Sequence, residues 1–250
     1  MFTTLIFDLH GVLVDPARIF ENQPGAQADL LAERYGGDRD AWLQAYNDIR
    51  ADWDSYWADL NGETPLLDFW EGELRVLRAH FRLTGTPYPP IGELTELARE
   101  RRYLVYRRFD AGYEKTRSVV DALAEAGYVL GVVSNAPVSH IRGALDGAGL
   151  LEYFDGRLVG SDMVGSFTKG LEAYYHACTR AGCTPAECVV FDDNLDGVYG
   201  ARRAGTHVAL IERASRRDHR PLDDARRLAH AVLPDLASVL PYLQQFDSDG

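Results

Sequence analysis

Short runs of consecutive apolar residues recur along this 250-residue chain, each ending in a polar residue or a turn. The first run, residues 5–7 (Leu-Ile-Phe), delivers Asp8 to its end. Past residue 113 the runs alternate regularly with segments of helical period. Residues 116–126 place Val119, Val120, Leu123 and Ala124 at helical spacing, and 128–134 (YVLGVVS) then read as a strand. A weaker strand follows at 157–160, a helix at 172–181, a buried strand at 188–191 (CVVF), a helix at 196–204 and a last strand at 207–211 (HVALI). Apolar runs separated by helices of this length predict an α/β core: a Rossmann-like parallel sheet with helices on both faces.

Residues 16–112 carry no period-2 run. Helical patterns fall at 27–35, 40–60, 66–83 and 91–109, punctuated by Pro24-Gly25, Gly36-Gly37, Gly62 and the Gly/Pro segment 85–90. All four tryptophans lie in this stretch. Trp42, Tyr46, Trp53 and Trp57 recur as one stripe of a single predicted helix, a pattern that favours bundle core over substrate pocket. The predicted organisation is a core of residues 1–15 and 113–250, interrupted by an all-helical cap domain at 16–112. After residue 211 the pattern reads as an Arg-rich loop, 213–220, and a helical tail.

Composition sets outer bounds. Hydrophobic residues are 46% and charged residues 26%, as expected of a soluble globular protein. A net charge of −12 argues against nucleic acid or an anionic membrane surface as partner. No apolar run approaches the ~20 residues of a membrane span, and no signal-peptide pattern opens the chain, so the cytoplasm is the expected location. Cys178, Cys183 and Cys188 are odd in number and lack a C-x-x-C pair, which predicts free thiols rather than disulfides or a zinc site. Lys115 and Lys169 are the only lysines, so each is worth locating.

Candidate chemistry collects at strand ends, where open α/β sheets bind their ligands. Asp8 follows the first run, and Gly11 permits a tight turn whose main-chain N–H groups can face an anion. Ser134-Asn135 end the run LGVVSN, and Asp192-Asp193 end VVFDDNLDG, with Asp196 opening the next helix. Clustered carboxylates repel one another unless a cation or proton neutralises them, and hard oxygen ligands suit Mg2+.

DLHGVL at 8–13, SN at 134–135, the solitary Lys169 and FDDN at 191–194 stand in the order and spacing of the haloacid dehalogenase superfamily motifs. The chain resembles the helical-cap, phosphatase-like branch of that superfamily. The resemblance implies a hydrolase of small phosphorylated metabolites with Asp8 as nucleophile, forming an aspartyl-phosphate. It further implies Gly11, Ser134 and Asn135 at the phosphoryl group and Lys169 as a fixed positive charge. The Mg2+ ligands would be Asp8, the main-chain carbonyl of His10 and Asp193, with Asp192 acting directly or through water. Gly170 stands where many relatives have proline.

The principal departure is His10, which occupies the place of the usual second aspartate, the acid/base of the phosphatases. Imidazole is chemically able to serve both proton transfers. Nearby carboxylates and a phosphate are expected to favour its protonated form, aiding departure of the leaving group and hindering activation of water. Three alternatives stay open: a dehalogenase, a phosphotransferase or mutase, and a non-catalytic ligand-binding relative. Imine chemistry of the phosphonatase kind would need a cap lysine, and residues 16–112 contain none.

Some residues carry weaker expectations. Arg18 meets a substrate anion or is plain surface. Asp196 caps its helix and reaches Lys169 or metal-bound water. Arg202-Arg203 face solvent, the charged run 216–220 is a loop or borders the active site, and His140, His176 and His207 receive no role.

Overall fold

A computed structural model describes residues 2–60, 62–154, 156–214 and 221–247. Its apolar runs pair into one sheet of β1 (Thr4–Phe7), β2 (Val129–Val133), β3 (Leu158–Val159), β4 (Cys188–Asp192), β5 (His207–Ile211) and β6 (Ala231–Leu233). The order is β3-β2-β1-β4-β5-β6, and every pairing is parallel. The helices, in chain order, are α1 (Pro16–Tyr35), α2 (Arg39–Ala51), α3 (Pro65–Thr84), α4 (Ile91–Tyr106), α5 (Thr116–Glu125), α6 (Val138–Gly147), α7 (Leu151–Phe154), α8 (Ser161–Val164), α9 (Leu171–Ala181), α10 (Leu195–Ala204), α11 (Asp223–Leu228) and α12 (Val239–Asp247). Among the described residues no helix is long and apolar enough to cross a membrane.

The continuous apolar runs have a direct cause: both faces of the sheet are covered. Successive residues of β1 point to opposite sides, so Leu5 and Phe7 enter one core with Val120, Leu123 and Ile141 from α5 and α6. Ile6 enters the other with Ala173, Tyr174, Val198 and Ala201 from α9 and α10. Strand order reverses between β1 and β4. That reversal opens a crevice at the carboxyl ends, where such sheets bind ligands. Phe7 lies opposite Phe191, so both chains leave the sheet side by side at this crevice.

Several sequence expectations are corrected here. The sheet does not end at residue 211: β6 is a three-residue edge strand whose central Val232 is 45% exposed, too short and too open to give an apolar run. Pro24-Gly25 is no break, because α1 runs from Pro16 straight through it. Ala26, Gln27, Leu30 and Leu31 beyond the proline are buried, and their packing outweighs the lost hydrogen bond. The helix expected over 40–60 stops at Ala51. There Ser55 Oγ bonds both the Asp52 carbonyl and carboxylate, and Trp53–Tyr56 form a 3-10 turn. The aromatic stripe is therefore split. Trp42 and Tyr46 are buried on α2, Trp53 is partly exposed, and Trp57 covers Gly72 of α3. The run 215–220 lies outside the described residues.

Helices α1–α4 pack around Leu31, Trp42, Leu77, Phe81, Leu94 and Leu97. They also share the first core with the sheet through Ile19, Leu30, Val105 and Tyr106. Helix α4 rests on α6 at Gly143 and Gly147, where any side chain would overlap the α4 backbone and the residues just after it. The two strands of chain joining the helical block to the sheet run together: Asp15 N–H donates to the Ala111 carbonyl (2.8 Å) and Arg18 Nη1 to that of Gly112 (2.8 Å). Arg18 thus ties this crossing. The three cysteines are free, and their sulfurs converge at the amino end of β4, with Cys188 Sγ 3.4 Å from Cys178 and 3.2 Å from Cys183.

An ionic network fixes α3 against α4. Glu73 is fully buried and accepts from Arg101 Nη2 at 2.6 Å and Arg102 Nη2 at 2.7 Å. Arg101 Nη1 donates to Gln27 Oε1 (2.7 Å), whose amide donates to His80 Nε2 (2.7 Å). Burial alone would push the Glu73 carboxyl up, but Arg102 and Arg101 hold it down to about 2. A depressed carboxyl stabilises the fold above its unfolded pKa and loses that contribution as pH falls through the folded one. Glu73→Gln should therefore cost about 3–5 kcal/mol near neutrality, read by denaturant unfolding. The gap to the wild type should shrink as pH drops from about 4.5 toward 2. A gap independent of pH would contradict an ionised Glu73.

Candidate active site

Asp8 is the first residue beyond β1 and is 5% exposed. Its N–H donates to the Phe191 carbonyl on β4 (2.9 Å), and its Oδ1 accepts from Leu9 N–H (2.8 Å). Its Oδ2 faces Lys169 Nζ at 2.8 Å. The same ammonium lies 2.6 Å from Asp192 Oδ2, so one buried lysine bridges the carboxylates of two adjacent strand ends. Burial would lower the Lys169 pKa, but Asp192 and Asp8 outweigh it and keep the ammonium charged.

Close backbone approaches hold this arrangement. Lys169 lies just ahead of α9, and a side chain at Gly200 of α10 would collide with its carbonyl. One at Gly197 would collide with the Asp192 carboxylate, which also accepts from Asn194 N–H at 3.2 Å. Tyr174 donates to the Gly197 carbonyl (3.0 Å) and reaches toward Asp192 Oδ2 (3.4 Å). Carboxylate oxygens of Asp8, Asp192 and Asp193 all lie within 4.8 Å of one another. Burial, with Asp192 and Asp193 adding to it, pushes the Asp8 carboxyl up to about 8 against the pull of Lys169. If all three were ionised they would outnumber the one ammonium, a repulsion that a proton on Asp8 or a bound cation relieves.

The remaining predicted residues divide. Ser134 follows β2 to the same edge, its N–H on the Val159 carbonyl (3.0 Å) and its Oγ accepting from Ala136 N–H (3.2 Å). Asn135 Oδ1 is buried without a hydrogen-bond partner. Gly11 has φ of 78°, and a side chain there would overlap the Asp193 carboxylate. Its own N–H is donated to the Val14 carbonyl (2.9 Å), so it supplies the turn and not an amide for an anion. Asp196 is exposed in the first turn of α10, which is capped by Asn194 Oδ1 accepting from Gly197 N–H (3.0 Å); Lys169 pairs instead with Asp8 and Asp192.

His10 reverses its expected behaviour. Burial, then the positive charges of Lys169 and Arg102, press its pKa down to about 4, so the imidazole is neutral. Its Nε2 shares a 3.0 Å hydrogen bond with Nε2 of His140, itself buried on α6 against Tyr106.

Sequence reasoning missed three neighbours. His140 touches His10 across a separation of 130 residues, with no metal-ligand spacing to betray it. Arg102 belongs to a helical segment that the motifs do not cover. Arg213 resembled the start of a charged surface loop, yet it donates to the carbonyls of Gly11 (2.9 Å) and Val12 (2.9 Å) and stacks on Tyr113 at 3.7 Å. It pins the turn after Asp8.

Strand order, the lysine-bridged aspartates and the acidic cluster define a class, and the chain belongs to it: a haloacid dehalogenase-like hydrolase, whose family profile matches residues 2–205. Phosphatase MT3486 of Mycobacterium tuberculosis (strain CDC 1551 / Oshkosh) is 31% identical over 192 residues, covering 71% of this chain and 86% of that protein. The chain spans about half the length of other curated relatives that it matches. The fold is shared with a HAD phosphatase from Thermococcus onnurineus (TM-score 0.55, 23% identity, covering 97% of this chain and 98% of that one). It is shared equally with the L-2-haloacid dehalogenase of Xanthobacter autotrophicus with chloropropionic acid covalently bound (TM-score 0.55, 20% identity, covering 98% and 99%).

Gly11→Ala tests the tight fit at the turn. Placing a side chain at positive φ costs about 1–2 kcal/mol and forces Asp193 aside. The variant should keep its far-UV circular dichroism while losing about tenfold or more of hydrolytic turnover, the equivalent of ~1.4 kcal/mol in the barrier. Unchanged turnover would mean that Asp193 has room to move freely.

Proposed function

We propose that the protein is a Mg2+-dependent phosphatase of small phosphorylated metabolites in the cytoplasm, with residues 16–112 as a helical cap on the core of 1–15 and 113–250. The observation that carries this reading is the buried Asp8 carboxylate at the topological switch point, held against Lys169 and facing two further carboxylates. The name of the M. tuberculosis relative points the same way.

The donor set suits a hard divalent cation: all oxygen, with more negative charge than Lys169 offsets when all three carboxylates are ionised. Asp8, Asp193 and the His10 carbonyl would be the direct ligands, with Asp192 acting directly or through water. When bound, the ion would neutralise the cluster and polarise a phosphoryl oxygen.

In the first step an Asp8 oxygen bonds to phosphorus as the ester P–O bond breaks and its electron pair leaves with the alcohol. Ser134, Asn135 and Lys169 hold the phosphoryl oxygens, Ser134 through its O–H, Asn135 through its amide N–H and Lys169 through its ammonium. In the second step water attacks the phosphorus of the aspartyl-phosphate and Asp8 is released. The neutral His10 would take the water's proton. An imidazole held neutral in this way is free to accept a proton but is a weak base, and it is too rarely protonated to serve as the acid, so departure of the alcohol depends on its own acidity.

A dehalogenase reading draws on the absence of the second aspartate and on the shared fold. Against it, the Asp8, Asp192 and Asp193 carboxylates would repel an anionic haloacid. Chloride release from chloropropionate without added metal would reinstate it.

Phosphate release from aryl phosphates should require Mg2+, stop with chelator and fall about 10³-fold or more in Asp8→Asn, since the nucleophile is lost. Metal-independent release, or activity surviving Asp8→Asn, would defeat the proposal. Across substituted phenyl phosphates, kcat/KM should rise steeply as the leaving phenol becomes more acidic. A flat series would mean that a fixed acid protonates the leaving oxygen.

A further inference from the structure

Between His10 and the helical block lies a cavity of about 330 Å³, within the size range of small-molecule sites. Its lining has an apolar and aromatic part, with Ile19, Tyr46, Ile49 and Val76, and a polar side that includes Arg50 of α2, Arg101 and Arg102 of α4, His10 and His140.

The charge on that side is unbalanced. Glu73, behind Arg101 and Arg102, is their only carboxylate partner among the described ion pairs, so two guanidiniums share one negative charge. No aspartate or glutamate lines the cavity. Its imidazoles, His10, His140 and His80, cannot compensate, because a histidine is neutral or cationic and never negative. The Nε atoms of Arg101 and Arg102 are buried without a hydrogen-bond partner. Arg102 is 19% exposed, and its guanidinium lies over the Phe69 ring at 5.3 Å, which limits its swing. A desolvated guanidinium with donors to spare is a strong site for a planar anion.

We infer that the leaving half of the substrate carries a carboxylate, received by Arg102 with Arg101 behind it, while its phosphoryl group lies on the Lys169 side of His10. The site takes a phosphate ester of a compact hydroxy acid with an apolar or aromatic body. Arg50, over the Phe20 ring, adds to the positive lining, and the planar fork of Arg102 suits a planar carboxylate. Arg102 is a specificity-determining residue here, and the inference rests on the phosphatase reading of Asp8.

The test compares 3-carboxyphenyl phosphate with its neutral isostere 3-carbamoylphenyl phosphate, using the full chain with Mg2+. The carbamoyl compound releases the more acidic phenol, so a preference for the carboxylate runs against leaving-group chemistry. The wild type should favour the carboxylate by about tenfold or more in kcat/KM, chiefly through KM, as expected for one charge-assisted pair. In Arg102→Gln the ratio should fall toward one, and in Arg102→Lys it should be partly restored. Arg102 also braces Glu73, so the wild-type ratio alone decides if the variants fail to fold. Asp8-dependent hydrolysis of both esters at equal rates overturns the carboxylate subsite and leaves the phosphatase reading standing. A retained carboxylate preference in folded Arg102→Gln overturns the assignment to Arg102. Absence of Asp8-dependent release from either ester overturns both.

Discussion

The Lys169 ammonium, buried between Asp8 and Asp192, is the contact on which the rest of the site depends. It lies where two adjacent parallel strands leave the sheet on either side of the strand-order reversal. A buried ion pair of this kind contributes little net stability, because desolvating three charged groups offsets much of their attraction. Its value lies in position. One cation fixes the direction of Asp8 Oδ2, and Gly197 and Gly200 let α10 approach closely enough to keep it there. With all three carboxylates ionised the arrangement carries excess negative charge, which is the physical reason to expect a cation among Asp8, Asp192 and Asp193.

The helical block carries a buried ionic network of its own. Glu73, Arg101 and Arg102 join α3 to α4, and α4 in turn is locked on α6 through Gly143 and Gly147. Helix α6 carries His140, the partner of His10. A chain of tight contacts thus runs from the middle of the helical block to His10. Burial, with Lys169 and Arg102 adding to it, keeps His10 neutral. Arg213 and Arg18 hold the two backbone segments around it, the turn after Asp8 and the crossing into the helices.

Much of the core was legible in the sequence, because strands buried on both faces must be apolar along their whole length. Residues 128–134, 188–191 and 207–211 announce β2, β4 and β5 for this reason. Asp8, Ser134 and Asp192 end such runs, so they could be placed at the sheet's carboxyl edge without coordinates. What stayed hidden depends on contacts distant in sequence or on packing that overrides local preference. Strand β6 is three residues with an exposed centre. Pro24 sits inside a helix held by its buried face, and the break after Ala51 comes from hydrogen bonds around Asp52. His140, Arg102 and Arg213 act through neighbours 130, 92 and 202 residues away, and no spacing rule reports such pairs. The charge state of His10 was misjudged because its nearest influences are two cations and burial, not the carboxylates close to it in sequence.

The central claim is that Asp8 itself becomes phosphorylated. The most direct measurement is acid quench of the Mg2+-loaded protein during turnover of an aryl phosphate, followed by peptide mass analysis. The account predicts a phosphoryl group on the peptide containing Asp8, labile to hydroxylamine and absent from Asp8→Asn. Phosphate release with Asp8 unmodified throughout turnover, or phosphoryl label on another residue, would contradict it.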